Sequence, residues 1–484
     1  MIAEALATHM ERPLGRGHVP QNAFTGAAGG AACGDLIRIS LTIEEGSPDG
    51  LITDAGFDAS GCGAAGAAGS AVVALCRKTG LLSAARIGAD EISAELGGLS
   101  DAKRHGAELA ADALHRALGA AARARARLAP HQDRVLVAMS GGVDSAVVAL
   151  LAAEAGKEAV GVTLELWSDP ENDGEQSCCS AQAVRGARQI AHAMGMAHLS
   201  VDMRAEFRAG VVNPWLAGHL AGLTPNPCVR CNGSVRLDGM LELAQRLGAQ
   251  TLHTGHYARV HDEHGTPLLR VALDPVKDQS YVLSALKRES LSRLRFPLGE
   301  MTKPQVRALA QQAGLSVASR PDSQDLCFLA GTEQKAFLTA HGGSAPTPGP
   351  VIDRDGNMLG EHAGHQAYTV GQRRGLALRE KGPLFVLKTD ARTNTVTVGT
   401  RAQLLSDTIK VERLELHRPG GEVDAVKIRS RGRRLACRLD GQLESGGHER
   451  ALVRLSEPLE RTAPGQLACL YAGELIVGHG TISE

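Results

Sequence analysis

The sequence predicts a multidomain protein of the α/β class that ends in a β-barrel. Three observations support this prediction. The chain has 484 residues, which is too long for one compact domain. A strand–turn–helix–strand pattern surrounds the Gly-rich segment at residues 140–145, and such a βαβ unit indicates a parallel sheet. The last part of the chain alternates apolar and polar residues, as the strands of a small antiparallel barrel do.

The first segment, residues 1–128, predicts a small α+β domain with a linker helix. Residues 36–43 and 51–59 are typical of two strands, and the turn-rich sequence EEGSPDG separates them. An Ala-rich helix is predicted over residues 101–127, and Pro130 stops it.

The second segment, residues 131–333, carries the clearest chemical signal. Residues 134–139 are a continuous apolar run, typical of a buried parallel strand, and a second strand is predicted at residues 158–166. Between them lies SGGVDS, whose glycines would let the backbone N–H groups at a helix start approach a phosphate. Because no GxxxxGK[ST] pattern is present, the loop is not of the Walker type. We therefore expect pyrophosphate as the leaving group and adenylation of the substrate.

Residues 334–400 are rich in Gly, Pro and polar residues and predict a small central domain with strands near 384–388 and 395–398. Residues 401–484 form the predicted barrel. The formal net charge is −1 and aromatic residues make up 3%, so any nucleic-acid partner must bind a local basic surface rather than a stacking platform. No apolar run approaches the ~18 residues of a membrane span, and no signal peptide is evident. The sequence predicts a cytoplasmic enzyme with reduced thiols and no membrane association.

Three cysteines outside the first domain are candidates for chemistry. Cys228 and Cys231 have CxxC spacing, which is compatible with a zinc half-site, a redox pair, cluster ligands or catalytic thiols. A second CxxC is missing from the sequence, and the adjacent Cys178 and Cys179 have the wrong spacing for zinc. The third candidate, Cys327, lies in DSQDLCF; taken alone, it could equally be a small buried hydrophobic residue.

Residues 131–484 resemble the tRNA-specific 2-thiouridylase (MnmA) family. The motifs AMSGGVDS, CCSAQAVRGAR, TPNPCVRCN, TGHYARV, KDQSYVLSAL, FPLGEMTKPQVR, DSQDLCF and YTVGQRRGL occur in the family's order. The resemblance implies a PP-loop ATPase domain, a central domain and a C-terminal β-barrel. It also implies an ATP- and Mg²⁺-dependent tRNA-uridine 2-sulfurtransferase that replaces the C2 oxygen of the wobble uridine by sulfur. The implied partners are the tRNAs for Lys, Glu and Gln and a cysteine desulfurase or sulfur carrier.

The resemblance also implies roles for individual residues. Those expected to bind ATP are Ala138, Met139, Ser140, Gly141, Gly142, Val143, Asp144, Ser145, Leu164 and Gly255. Those expected to meet the target base are Asn226, Pro227 and Cys228. Cys231 matches the nucleophile and Cys327 the cysteine that carries the persulfide. Those expected to contact tRNA are Lys277, Asp278, Gln279, Arg429, Ser430 and Arg431, the last three standing where the family has Arg-Tyr-Arg.

One position departs from the family pattern. Many members carry Asp, the proposed general acid/base, where this chain has Cys228. Cys228, Cys231 and Cys327 together could hold a [4Fe–4S] cluster with one iron open to bind sulfur. The alternative is a cluster-free route through a persulfide, with thiolate formation helped by a cation such as Arg230.

The first domain resembles the NifU/IscU iron–sulfur scaffold through GAACGDL, GFDASGCGAA and KRHGAELAADAL. The implied metal ligands are Cys33, Asp35, Cys62 and His105, and Gly106 replaces the family's last cysteine. This set could bind zinc or, more poorly, an iron–sulfur cluster; the alternative is a docking module for a cysteine desulfurase. Cys76 is expected in a helix core.

The basic run at residues 427–438 contains six Lys and Arg residues and no acid. Lys427, Arg429, Arg431 and Arg433 alternate, so on a strand they would share one face and bind tRNA phosphates. Two other function classes fit the sequence less well. A PP-loop synthetase or amidotransferase would not need three thiols, and a non-enzymatic cluster scaffold would need the ligand that Gly106 replaces.

Overall fold

The computed structural model describes residues 2–29, 34–168, 180–263, 265–322, 326–329, 332–343, 346–376, 378 and 382–484. Cys33, Cys178 and Cys179 lie outside these ranges. Across the described residues, no helix has the length and apolar character that a membrane span requires.

The N-terminal domain is an α+β unit, as predicted. Its three strands form an antiparallel sheet in the order β1-β2-β3. Its elements are α1 (Ile2–Glu11), β1 (Phe24–Gly29), β2 (Leu36–Ile43), β3 (Ile52–Ser60), α2 (Gly63–Cys76), α3 (Leu81–Ala84), α4 (Ala89–Glu95) and α5 (Asp101–Ala124). Cys76 is buried at the end of α2, as expected, and burial raises the pKa of its thiol to about 12. Helix α1 and strand β1 were not predicted from the sequence.

The PP-loop domain contains a five-stranded sheet in the order β10-β7-β4-β5-β6, with every pairing parallel. The parallel sheet confirms the α/β prediction. The elements are β4 (Arg134–Ala138), α6 (Val143–Glu154), β5 (Glu158–Glu165), α7 (Ala181–Ala193), β6 (Ala197–Asp202), α8 (Arg204–Phe207), α9 (Asn213–Leu220), α10 (Pro227–Arg230), α11 (Leu237–Arg246), β7 (Thr251–His253), β8 (Arg259–Glu263), β9 (Thr266–Arg270), α12 (Ser280–Leu283), α13 (Arg288–Arg293), β10 (Leu294–Arg295) and α14 (Lys303–Gln312).

The central domain has one helix and a four-stranded sheet in the order β12-β11-β14-β13. Its elements are α15 (Gln334–His341), β11 (Gly349–Ile352), β12 (Met358–His362), β13 (Phe385–Asp390) and β14 (Thr395–Gly399). A short helix then leads into the barrel: α16 (Arg401–Leu404), β15 (Leu405–Leu416), β16 (Ala425–Lys427), β17 (Leu435–Leu439), β18 (Gly446–Glu460), β19 (Leu467–Ala472) and β20 (Leu475–Ile482). Pairing of β15 with β20 closes the six strands, which confirms the predicted barrel.

The predicted basic strand is wrong in its geometry. Of the four alternating residues, only Lys427 lies on a strand, and its Nζ is 3.5 Å from Oδ2 of Asp278 in a buried position. The chain then turns, because the N–H of Gly432 donates to the carbonyl oxygen of Arg429 at 2.9 Å. Arg429, Arg431 and Arg433 are therefore exposed on a turn rather than aligned on one strand face.

The N-terminal domain is seated on the PP-loop domain. Helix α5 packs along β6, which is an edge strand of the parallel sheet. The N–H of His198 on β6 donates to the carbonyl oxygen of Ala85 at 3.0 Å. Arg116 of α5 makes a bidentate ion pair with the buried carboxylate of Glu165, at 2.7 and 2.9 Å. These charge-assisted contacts fix one domain against the other.

Candidate active site

The site lies at the carboxyl edge of the parallel sheet, where open α/β folds bind ligands. Ala138 and Met139 are buried at the end of β4, and the loop of Ser140, Gly141 and Gly142 leads into α6. Gly141 has a φ of +72°, in the left-handed region that favours glycine. Gly142 is the N-cap residue, so the first N–H groups of α6, from Val143 onward, lack intrahelical partners and are available to an anion.

Ser145 and Gly255 complete the loop's environment. The Ser145 hydroxyl donates to the carbonyl oxygen of Gly142 at 3.0 Å and accepts from the N–H of Ser140 at 3.2 Å. A Cβ atom at position 255 would lie 3.0 Å from the backbone nitrogen of Ser145. Leu164 is buried near the end of β5, the strand next to β4. The structure therefore brings these sequence-predicted ATP residues to one edge of the sheet.

A cluster of charged residues that the sequence analysis missed surrounds Asp144. The Tyr257 hydroxyl donates to Oδ1 of Asp144 at 2.8 Å. Lys303 Nζ lies 2.7 and 2.8 Å from the two carboxylate oxygens of Asp144 and 2.9 Å from Oδ1 of Asp322. Burial and the nearby Asp144 carboxylate raise the pKa of Tyr257. In the sequence, the feature that could have identified them is a charged residue inside each of two motifs: Lys303 in EMTKPQVR and Asp322 in DSQDLCF.

Asp322 joins three cations from separate parts of the chain. Besides Lys303, it accepts from Lys277 at 2.6 Å and from Arg307 at 2.9 Å. Burial opposes ionisation, but hydrogen bonds from Lys277 and Lys303 hold the pKa of Asp322 at about 2. Because Asp322 opens the motif that contains Cys327, this cluster connects the phosphate loop to the start of the cysteine segment.

Cys228 and Cys231 lie on one continuous helical stretch. The Asn226 side chain caps its start by accepting from the N–H groups of Cys228 and Val229, at 3.1 and 3.4 Å. Pro227 follows the cap, and α10 runs through a π-helical turn, Cys231–Arg236, into α11. Such π turns are frequent at functional sites.

Both thiols are at least partly withdrawn from solvent. Cys231 is buried, and burial raises the pKa of Cys228, with Arg236 opposing this effect. The expectation for Arg230 is not supported by its position: its side chain is exposed and donates to the carbonyl oxygen of Gly210, whereas Arg236 is the cation that acts on Cys228.

Cys327 is half-buried beside an aromatic cluster. Its neighbour Phe328 is buried and contacts the rings of Trp167, Phe207 and Trp215, with centroids 5.3–6.4 Å apart. Cys231 belongs to the same apolar core, and Cys327 packs against that core. Both predicted catalytic thiols therefore border the main apolar core, which extends from the N-terminal domain to the barrel.

The three thiols Cys228, Cys231 and Cys327 do not form a site for a single metal ion. Among the described residues, the group whose ligand atoms all lie within 4.8 Å of one another is Asp35, Cys62 and His105.

The predicted tRNA-contacting residues fall into two surroundings. Lys277 is part of the Asp322 cluster, Asp278 bonds to the Ser280 hydroxyl at 2.9 Å, and Gln279 accepts from the N–H of Tyr257 at 3.0 Å. Ser430 lies with Arg429 and Arg431 on the exposed turn of the barrel. The turn offers cations to solvent, while the first stretch is half-buried.

The N-terminal domain holds its own polar cluster. Oδ2 of Asp35 accepts from Cys62 Sγ at 3.1 Å and lies 2.8 Å from His105 Nε2, while Sγ and Nε2 are 3.8 Å apart. Hydrogen bonds from Cys62 and then His105 lower the pKa of Asp35, against the effect of desolvation. A thiolate, an imidazole and a carboxylate are ligands that zinc uses, so this set fits a zinc ion. The fourth predicted ligand, Cys33, lies outside the described residues.

Helix α2 packs closely against Gly106, the position where the scaffold family has its last cysteine. A Cβ atom at position 106 would lie 3.2 Å from the backbone of Ala64 and Ala65, at the start of α2. A cysteine there would require the backbone of α2 to yield by a few tenths of an ångström, and with glycine at this position the scaffold family's last cysteine ligand is missing.

Comparison with known families divides the chain into four matches. Residues 2–126 match the NifU-like N-terminal domain and residues 133–331 the tRNA methyl transferase HUP domain. Residues 335–400 match the tRNA methyl transferase PRC-barrel domain and residues 406–482 the aminomethyltransferase beta-barrel domain.

Relatives match both the whole chain and its larger part. The tRNA-specific 2-thiouridylase MnmA of Magnetococcus marinus is 40% identical over 353 residues, which cover 72% of this chain and 99% of that protein. The corresponding protein of Thermobifida fusca is 43% identical over 361 residues, covering 72% of this chain and 96% of its own. The bifunctional protein NifU/MnmA of Rubrobacter xylanophilus is 39% identical over 489 residues, covering 98% of this chain and 97% of that protein. This chain therefore belongs to the family of bifunctional NifU/MnmA proteins.

Proposed function

We propose that this protein is a tRNA-uridine 2-sulfurtransferase that forms 2-thiouridine at the wobble position of tRNA. The single observation that carries the proposal is the arrangement of one sheet edge. A phosphate-binding loop without a Walker lysine lies there, and Asp322 links the cluster around Asp144 to the motif of Cys327. ATP activation and sulfur chemistry can therefore act on one substrate.

The first step is adenylation. The C2 oxygen of uridine attacks the α-phosphorus of ATP, an O–P bond forms, and pyrophosphate leaves with the electron pair. In the next step the C2 oxygen departs as part of AMP, which is a far better leaving group than oxide. Mg²⁺ neutralises phosphate charge when bound, and the carboxylate of Asp144 is the kind of hard oxygen ligand that this ion prefers.

The second step is sulfur transfer, for which we favour the persulfide route. The terminal sulfur of a Cys327 persulfide attacks C2 and AMP leaves. The Cys231 thiolate then attacks the sulfur of Cys327, releasing the thiocarbonyl and forming a Cys231–Cys327 disulfide that an external thiol reduces. This route uses the thiols of Cys231 and Cys327 and leaves Cys228 without a role in the transfer; a [4Fe–4S] cluster on the three cysteines is the alternative.

The macromolecular partners follow from the chemistry. The exposed turn with Arg429, Ser430 and Arg431 suits tRNA phosphates, so its contribution to binding should weaken with salt. We propose the tRNAs for Lys, Glu and Gln as substrates. A cysteine desulfurase or sulfur carrier would supply sulfur, with the N-terminal domain as its docking surface.

A single-turnover reaction with ATP and unmodified tRNA tests the proposal. We expect AMP, pyrophosphate and 2-thiouridine in equal amounts, measured by chromatography and nucleoside mass spectrometry. ADP and phosphate would contradict adenylation, and an amide product without sulfur would favour the synthetase class. The variant Asp144→Asn should lose product formation while remaining folded, as circular dichroism would show.

A further inference from the structure

Lys303 is a side-chain cation that lies beside the phosphate loop and contacts Asp144. Its Nζ lies 2.7 Å from Oδ1 of Asp144, in the first turn of α6, and its side chain is 10% exposed. The loop itself contains no lysine. Lys303 comes from another element, the start of α14, and reaches the loop across the carboxyl edge of the sheet.

A lysine is unfavourable at this position of a helix. Lys303 is the first residue of α14, after the N-cap residue Thr302, whose N–H donates to Gln305 Oε1 at 2.8 Å. The positive end of the helix dipole disfavours a cation there, and desolvation adds to the cost. Asp144 and Asp322 compensate for both effects. The helix itself therefore gives no reason for a lysine at position 303; the two carboxylates do, and an anionic ligand at the loop would be a further partner for its ammonium group.

We propose that Lys303 is a catalytic residue that binds the phosphates of ATP and stabilises pyrophosphate as it leaves. This inference rests on the adenylation proposed above. On ATP binding, phosphate oxygens replace the Asp144 carboxylate as the partner of the ammonium group. As the bond between the α-phosphorus and the bridging oxygen breaks, the electron pair goes to pyrophosphate and Lys303, still protonated, neutralises the added charge. A lysine distant in sequence thus performs the task of the Walker lysine.

Other cations near the loop are engaged differently. Arg320 donates to the carbonyl oxygen of Gly141 at 3.0 Å and so supports the loop backbone. Lys277 and Arg307 form their ion pairs with Asp322 rather than with Asp144. Among the described residues, Lys303 alone joins both carboxylates.

Nucleotide binding to the full-length protein separates a phosphate-binding role from a structural one. Calorimetry with AMP, ATP and pyrophosphate, each with Mg²⁺, is performed on the wild type and on Lys303→Met. We expect the affinities for ATP and pyrophosphate to fall at least about 30-fold and the affinity for AMP to stay within about twofold, because AMP lacks the leaving phosphates. Single-turnover pyrophosphate release should fall about 10²- to 10³-fold. A structural role would weaken AMP and ATP binding equally, and that result overturns the proposal.

The matched control is Lys157→Met. Lys157 also pairs with an aspartate, Asp133, at 2.8 Å, but it lies just before β5, at the amino edge of the sheet. It should bind and react as the wild type does.

Two further variants keep the test valid if Lys303→Met does not fold. The loss of the lysine leaves the carboxylates of Asp144 and Asp322 facing each other, and their repulsion could unfold the protein. Lys303→Met with Asp322→Asn relieves that repulsion and should show the same loss of ATP and pyrophosphate binding, whereas Lys303→Arg should restore part of it. Wild-type pyrophosphate release by the double variant would reject the assignment of Lys303 alone. Release of ADP by the wild type would instead reject the adenylation proposal.

Discussion

The backbone of Gly119 in α5 and the carbonyl oxygen of Ser200 in β6 are in such close approach that a Cβ atom at position 119 would lie 1.9 Å from that oxygen. The glycine therefore sets the distance between the N-terminal domain and the edge of the parallel sheet. A side chain at this position must push the two domains apart.

Gly119→Val is expected to destabilise the protein by about 1–3 kcal/mol, the usual cost of overpacking, because the ion pair of Arg116 with Glu165 is strained as α5 moves. Thermal unfolding measures the effect. Gly186→Ala is the control, since a Cβ atom at that position in α7 meets nothing within 4 Å. Equal melting temperatures for the two variants would show that the interface tolerates separation.

Cys231→Ser and Cys327→Ser are each expected to abolish 2-thiouridine formation, because the two thiols act in successive steps and cannot replace one another. Cys437→Ser should retain most activity: burial and then Asp424 raise the pKa of Cys437 to about 12, so its thiol stays protonated. Nucleoside mass spectrometry of tRNA from a complemented deletion strain gives the readout. Cys178→Ser is also expected to remain active. Inactivity of Cys437→Ser or Cys178→Ser would overturn the thiol assignment.

Iron content decides between the two sulfur routes. In a Cys33→Ser, Cys62→Ser background that removes the N-terminal ligands, anaerobically purified protein is expected to be colourless and to thiolate tRNA from a persulfide donor. A brown protein with about four iron atoms per chain, lost together with activity in Cys228→Ala, would establish the cluster instead.

Acid stability should depend on Asp322. Its pKa is about 2 in the folded protein against an ordinary value of 3.8, so ionisation contributes on the order of 2 kcal/mol. Because the folded pKa is the lower one, this contribution is complete above the ordinary value and is lost as the pH falls from about 4 to 2. Asp322→Asn should therefore lower the unfolding free energy at pH 6 and have a shrinking effect below pH 4. The exposed Asp407→Asn serves as the control, and a pH-independent difference for Asp322→Asn would contradict the ion-pair account.

Zinc binding should depend on the N-terminal cluster. Reduced full-length protein is expected to lose about one zinc per chain in Cys62→Ser and in His105→Ala, measured by atomic emission, while Cys437→Ser keeps the wild-type content. Gly106→Cys should lower the melting temperature, because its side chain crowds Ala64 and Ala65. A stable Gly106→Cys protein that assembles an iron–sulfur cluster would refute the packing argument.

The sequence was most informative where a feature is formed by residues that are continuous in the chain. SGGVDS between an apolar strand and a helix predicted the phosphate loop, and the alternating C-terminal pattern predicted the barrel. Strand β1 escaped prediction because its sequence, FTGAAG, consists mainly of small residues. The reason is tertiary: a Cβ atom at Gly26 would lie 2.1 Å from the carbonyl oxygen of Ala113 in α5, so packing requires glycine where strand propensity would not.

Contacts between distant segments were the other limit. Lys303 and Asp144 are 159 positions apart, and no local pattern announces their ion pair. The strand predicted for the basic run was wrong for a different reason. Its alternating cations suggested a strand, but a turn closed by the N–H of Gly432 interrupts the run. Roles implied for Leu164, Asn226 and the stretch from Lys277 to Gln279 stay predictions, since their positions alone do not assign a ligand.

The placement of α5 along β6 also bears on how the chain is made. An uncovered edge strand offers free N–H and C=O groups to other chains and invites aggregation. Domains at the amino terminus generally fold first during synthesis, so α5 has left the ribosome before β6 is translated. The parallel sheet therefore meets the helix that covers its edge as soon as β6 forms, and the order of the two domains along the chain shortens the time for which that edge is exposed.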